Sequence, residues 1–345
     1  MKVLLINNSY PTVKHPEKST YIQSIKECLM SAGNDVDLLV LNVTGAGNTK
    51  YRDYMAFYWK LFRANLSSYD CLYINHYLFL IPLYFKICFY KGRVIFHWHG
   101  EELVQDRWFL RILRLISART IKPAHIQISP SVYYKSIVKN VLKIPEDNIY
   151  ISPSGGIDTK LFSRKKKHVL DTNFHIGFAS DLSEHKGIGY FYELIKNTER
   201  LEEEIGAKVC FHCIKYGKDA PYWVAQLEKY PNVDVCEKIP KVNMFQYYHK
   251  LDLCLMLSKR ESLGLVAIEA MSCNIPVIAR NTTSMPEIVK SGICGEIVPF
   301  LPSISDLMEK IAYVYKNYNQ YNPRPYVQKK YSKDSVVTFY RDLLK

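Results

Sequence analysis

No run in this 345-residue chain is apolar for long enough to cross a membrane. The most apolar segment, Leu78 to Tyr90, is about a dozen residues and carries Lys86, whereas a spanning helix needs about 20. No signal peptide is evident: the apolar opening Val3-Leu4-Leu5-Ile6 breaks at Asn7-Asn8 and reads as a first strand. There is no low-complexity tract and no internal repeat, which excludes solenoids and fibrous arrays. The nine cysteines are scattered singly, as in a reduced, cytoplasmic protein. The pair Cys210 and Cys213 has C-x-x-C spacing but lies in an apolar run that reads as a strand, with its sulfurs on opposite faces. With no second pair nearby it reads as core packing, not as a metal or redox site. No nucleic-acid-binding motif is found, and no clustered Asp pair beside a strand offers a metal site.

What is abundant is hydrophobic residues, tyrosine and positive charge. A 48% hydrophobic share over this length allows two domains, each with its own core. The formal net charge is +13, and there are 27 tyrosines. Such a surface favours polyanions, and without a nucleic-acid motif the partners expected are anionic lipid and phosphorylated ligands, not nucleic acid.

The stretch from Leu251 to Ala279 organises the reading. Leu251 to Leu257 is a short apolar run and predicts a buried strand. Ser258 to Ser262 is polar and predicts a loop. From Leu263 to Cys273 the apolar residues recur at helical spacing, and Ile275 to Ala279 predicts the next strand. Strand, loop, helix, strand is the unit of a parallel α/β sheet. Glu261 stands just before the helix and Glu269 about 12 Å further along its axis, at 1.5 Å per residue. Between them lie the backbone N–H groups of Ser262, Leu263, Gly264 and Leu265, a helix N-terminus of the kind that binds phosphate. Carboxylate, anion site, carboxylate suits a ligand built of hydroxyls, phosphates and hydroxyls, as a nucleotide-activated sugar is. The plainer reading makes both acids solvated or capping residues of an ordinary helix.

Glu261-x7-Glu269 with Gly264 between, Glu-Ala-Met, and then Ile-Pro-Val-Ile resembles the donor-site motif of family 4 glycosyltransferases. Asn274 stands where that family usually has a small residue before Ile-Pro, and Asn tolerates the left-handed backbone such a position adopts. Further matches follow. Ile149 to Asp158, with Phe162, resembles the family's inter-domain signature, and Ser180 to Gly189 resembles its loop ending Lys-Gly before a helix. His97-Trp98-His99-Gly100-Glu101, at the end of a predicted strand, resembles its N-domain active-site loop. Two departures stand out. Lys18-Ser19-Thr20 occupies the loop where the family often has glycines, and Ser180-Asp181 occupies the place of a second phosphate-binding cation. The likeness is thin before about residue 90 and dense from 149 to 300.

The resemblance implies an α/β protein of GT-B architecture, two Rossmann-like domains facing across a cleft. The expected boundaries are 1–160 for the acceptor domain, 172–325 for the nucleotide-sugar domain, and 326–345 for a C-terminal helix returning to the first. It implies retaining, metal-independent transfer of a hexose from a nucleotide diphosphate sugar to a glycan or lipid-linked acceptor, with surface polysaccharide as product. In that reading Glu261 and His99 meet the transferred sugar, Lys186 meets the diphosphate, Glu269 holds the ribose hydroxyls, and no metal or cofactor takes part. The rival is a catalytically silent nucleotide-sugar or glycan-binding protein of the same fold. His97 and His76 are secondary candidates beside His99. Two segments, Tyr51 to Leu66 and Arg107 to Lys122, mix basic with apolar or aromatic residues at helical spacing. Each reads either as a solvated surface helix or as a peripheral contact with an anionic membrane, at the inner face of the cell membrane. Arg164 to His168 reads as an exposed linker.

Overall fold

The computed structural model describes residues 1–12, 19–41, 48–76, 79–104, 121, 125–164, 170 and 172–345. It divides into two compact units, Met1–Gly156 together with Lys333–Lys345, and Ile157–Ser332. Each is built on a six-stranded sheet whose strands all pair in parallel.

In the first unit the strands are β1 (Lys2–Asn7), β2 (Asp35–Val40), β3 (Cys71–Ile74), β4 (Arg93–His97), β5 (Ile126–Ser129) and β6 (Ile149–Ile151). Their order is β2-β1-β3-β4-β5-β6. The central strands are continuous apolar runs because helices cover both faces of a parallel sheet. Leu4 and Ile6 pack on one side with Phe57, Leu61, Leu83 and Ile87 from the helices Asn48–Arg63 and Leu80–Phe89. Val3 and Leu5 pack on the other with Ile22, Ile25 and Leu29 of helix Thr20–Ser31. The last helix, Lys333–Leu343, joins that second face through Val336 and Tyr340. It is fixed there by a Lys333–Glu27 ion pair of 2.8 Å and a 2.6 Å hydrogen bond between the Tyr340 and Tyr73 hydroxyls.

The second unit has β7 (Asn173–Phe178), β8 (Lys208–Ile214), β9 (Val233–Cys236), β10 (Leu253–Met256), β11 (Val277–Arg280) and β12 (Gly295–Val298). The order β12-β11-β10-β7-β8-β9 runs outward in both directions from the β7/β10 pair. That pair is the topological switch point, where open α/β sheets leave a crevice at the strands' C-terminal ends.

Several local expectations are revised. Arg164, expected in an exposed linker, is half-buried, and its guanidinium donates to the carbonyls of His249 and Leu251; residues 165–169 lie outside the described residues. Pro323 and Pro325, residues that break a helix when they fall in its interior, here open the helix Pro323–Tyr331, since a first-turn residue needs no intrahelical N–H donor. Extended Ser332 then separates that helix from the terminal one. Most of the predicted Arg107–Lys122 helix, and Lys18, lie outside the described residues.

Candidate functional site

The site grows from the β7/β10 switch point of the second unit. The loop after β7 ends at Gly187, which has φ +87° and opens helix Ile188–Lys196. A Cβ at Gly187 would lie 2.3 Å from the Leu257 carbonyl oxygen, at the end of β10, so the two loops meet through bare backbone. Lys259 N–H adds a 2.8 Å bond to the His185 carbonyl. Gly187→Ala is therefore expected to destabilise this unit by about 1–3 kcal/mol or more, from backbone strain and clash together. Chemical denaturation checks this, and an unchanged unfolding midpoint would show that the two loops separate freely.

This packing joins two side chains 75 positions apart. Lys186 Nζ lies 2.7 Å from Glu261 Oε1, with side-chain exposures of 27% and 11%. The backbone of Glu261 is held in turn by the loop after β11. Its N–H donates to Thr283 Oγ1 at 3.0 Å, and its carbonyl accepts from the hydroxyls of Thr283 at 2.6 Å and Ser284 at 3.1 Å. Helix Leu265–Ser272 begins just beyond, after Gly264 at φ +64°, and no side chain caps its N-terminus. Its first-turn N–H groups have no intrahelical acceptor. Of the predicted donor-loop residues, Leu263 and Gly264 are buried, and Ser262 and Leu265 are partly exposed. Leu263 packs into the core, so what it offers a ligand is its amide.

Glu269 sits one turn into that helix and is only 6% exposed. The Tyr248 hydroxyl donates to its Oε2 at 3.0 Å. Burial raises its pKa above 4.5, while the charge of Lys241 and the Tyr248 bond pull it back. The helix thus carries two acids in different electrostatic settings, one ion-paired at its mouth and one buried along its flank. Burying a carboxylate without an ion-pair partner costs stability, which marks Glu269 as a candidate for function.

His99 belongs to the first unit, just past the end of β4. It stacks on His97 at 4.6 Å, meets the edge of Tyr21 at 4.8 Å, and its Nε2 lies 3.2 Å from Asn75 Oδ1. Burial, with a smaller contribution from His76, lowers its pKa to about 3, so it is neutral at pH 7. With a carboxamide oxygen as partner, Nε2 is the donor and Nδ1 the acceptor. Asn75 follows β3 and donates to the Ile6 carbonyl at the end of β1, so His99 lies beside the β1/β3 switch point of its own sheet. His97 is buried, its Nδ1 2.7 Å from the Tyr73 hydroxyl, which also bonds Tyr340. Burial likewise lowers His76 to about 4.

Thr283, Ser284 and Arg280 were not legible as site residues. Arg280 is fully buried, donates to the Leu257 and Phe300 carbonyls, and lies over the rings of Tyr190 and Phe300 at 5.1 and 4.9 Å. It fixes the C-terminal end of β10. The hydroxyl run Thr282-Thr283-Ser284 just after a strand was the available signal, since ligands are held outside the C-terminal ends of strands in open α/β sheets.

Residues 160–331 match the family model described as Glycosyl transferases group 1. An uncharacterised 41.2 kDa protein from the cps region of Klebsiella pneumoniae is 26% identical over 268 residues, 74% of this chain and 71% of that protein. The capsular polysaccharide biosynthesis glycosyltransferase CapM of Staphylococcus aureus is 27% identical over 206 residues, 54% of this chain and 51% of CapM. Among solved structures, Anabaena Alr3699/HepE in complex with UDP aligns over 100% of this chain and 99% of its own, with TM-score 0.73 and 16% identity. That likeness shows the fold, which is GT-B, a pair of Rossmann-like units.

Proposed function

Because residues 160–331 belong to the glycosyl transferases group 1 family, and the chain is a glycosyltransferase, we propose that it moves a hexose from a nucleotide diphosphate sugar to a glycan or lipid-linked acceptor, with retention of configuration and without a metal, in surface polysaccharide assembly. The observation that carries this reading is the 2.7 Å Lys186–Glu261 pair at the β7/β10 switch point, beside an uncapped helix N-terminus. As the sugar–oxygen bond breaks, negative charge grows on the leaving diphosphate. Lys186 and the amides of Ser262 to Leu265 receive that charge, and they replace the charge a metal would supply. The sugar becomes oxocarbenium-like, and the Glu261 carboxylate stabilises it without forming a covalent bond. Glu269 accepts hydrogen bonds from the ribose diol. His99, as a neutral imidazole, is given a hydrogen-bonding role toward the transferred sugar. The relative named for capsular polysaccharide biosynthesis, CapM, supports the choice of product, and the UDP held by HepE supports the class of donor.

The test is incubation with a panel of nucleotide sugars. Slow release of nucleoside diphosphate from one donor, accelerated by acceptor, is expected. Binding without release would instead identify a silent nucleotide-sugar-binding protein. Lys186→Ala should weaken nucleoside diphosphate binding by about tenfold in titration calorimetry. That is at the lower end for a charged hydrogen bond, since Lys186 must give up Glu261 to bind phosphate. Unchanged affinity in the folded variant would remove Lys186 from the phosphate site.

A further inference from the structure

We propose that one face of the first unit docks on the surface of an anionic lipid bilayer through two helices, Asn48–Arg63 and Leu80–Phe89. This inference is independent of the donor site.

On helix Asn48–Arg63, Tyr51 is 72% exposed, Met55 67%, Trp59 60% and Phe62 59%. At 100° per residue these four positions fall within about 80° of one another, so they form one stripe. Phe57 and Leu61 face away from it into the core. On the neighbouring helix Phe85 is 76% and Phe89 83% exposed. Lys86 joins the two: its Nζ donates to the Ala64 carbonyl at 2.7 Å and lies 5.7 Å from the centre of the Phe62 ring. Trp59 and Phe62 stack at 5.9 Å, so the stripe presents a continuous ring surface. Phe85 and Phe89 also line a cavity of about 890 Å³ together with Leu66, Tyr69, Tyr90 and Lys91. Soluble monomers rarely expose this many large apolar side chains in one place, and such patches mark interaction surfaces.

The charge around the patch selects its occupant. Arg52 and Arg63 fall next to the stripe on the helix wheel, Lys60 lies further round, and all three are exposed. Lys91 and Asp70 are both exposed where they line the cavity, and Asp70 accepts a hydrogen bond from the Lys2 N–H, which leaves the basic residues in excess around the patch. Aromatic rings flanked mainly by cations match a bilayer interface, where rings enter the headgroup layer and basic residues are drawn to anionic lipid. A second copy of the chain fits poorly. A twofold interface would gather the basic residues beside both stripes into one seam, whereas an anionic surface neutralises them. Among the described residues no helix is long and apolar enough to cross a membrane, so attachment here is peripheral.

The experiment is flotation of the full chain with phosphatidylglycerol or phosphatidylcholine vesicles, at low and high salt. The parent should partition at least about tenfold more strongly onto phosphatidylglycerol, and that preference should fall as salt screens the basic residues. The quadruple variant Trp59→Ser, Phe62→Ser, Phe85→Ser and Phe89→Ser should lose partition by about thirtyfold or more while keeping the parent's circular dichroism and nucleotide affinity, because all four side chains are exposed. A control with Tyr222→Ser, Val242→Ser and Leu301→Ser, all exposed in the second unit, should partition like the parent. Equal partition onto both lipids, parent-like partition of the quadruple variant, or a concentration-dependent dimer lost in that variant while vesicle binding persists would each overturn the proposal.

Discussion

Glu261→Gln is expected to lower kcat for sugar transfer by about 10²–10³-fold while binding nucleoside diphosphate at least as tightly as the parent, as the loss of one preorganised electrostatic contact would. The two effects have separate causes. In the parent, Glu261 and Lys186 neutralise each other across 2.7 Å. A neutral glutamine frees the ammonium for phosphate, and since both side chains are partly exposed the gain is small, about 1 kcal/mol at most. The same change removes the negative charge that stabilises the oxocarbenium-like sugar, which matters only in the transition state. KM should therefore change much less than kcat. Comparing steady-state kinetics with calorimetry checks this. Transfer at the parent rate would remove Glu261 from the chemistry, and loss of nucleotide binding would make it a donor-binding residue.

Glu269→Ala is expected to weaken nucleoside diphosphate binding by about 2 kcal/mol, roughly thirtyfold, through loss of charged hydrogen bonds to the ribose diol. It also strands the buried Tyr248 hydroxyl, so Glu269→Gln, which keeps an acceptor there, is the cleaner variant. Glutamine should weaken nucleotide binding and at the same time stabilise the fold. The sign follows from linkage. Burial raises the folded-state pKa of Glu269 above 4.5, so the stability contributed by its neutral form is full below 4.5 and is lost as pH rises through the folded value. The parent should thus fall further behind Glu269→Gln as pH increases through that window. Denaturant titrations at several pH values measure the gap. Affinity equal to the parent, or a gap that closes with rising pH, would contradict the assignment.

Much of the second unit was legible because its signals are local. Leu251 to Leu257 is apolar and short, and β10 lies within it; the helical spacing after Gly264 is the helix Leu265–Ser272. Asn274, standing where a small residue was expected, has φ +62°, which Asn tolerates. What could not be read was set by long-range pairing. Lys186 and Glu261 were each singled out, yet their contact depends on β7 lying beside β10, a matter of strand order that no local pattern states. Thr283 and Ser284 grip Glu261 from 22 and 23 positions away, and Arg280 grips the end of β10 from the last position of the next strand.

Helix Asn48–Arg63 shows a second kind of limit. Its apolar and aromatic residues cover more than half of the helix circumference, so periodicity predicts a helix but not which part of that broad face is buried. Phe57 and Leu61 face the core because β1 and the Leu80–Phe89 helix meet them, which leaves Trp59 and Phe62 outside. Arg164 is a third case. A run of basic residues reads as solvated, but two backbone carbonyls were close enough to bury its first member.

The most direct measurement is the anomeric outcome of a complete reaction. The protein is incubated with the nucleotide sugar that gives diphosphate release and with an acceptor, and the anomeric proton coupling of the product is read by NMR. The account predicts stoichiometric nucleoside diphosphate and a product that keeps the donor's anomeric configuration. An inverted product, or no release from any donor in the panel, would contradict it.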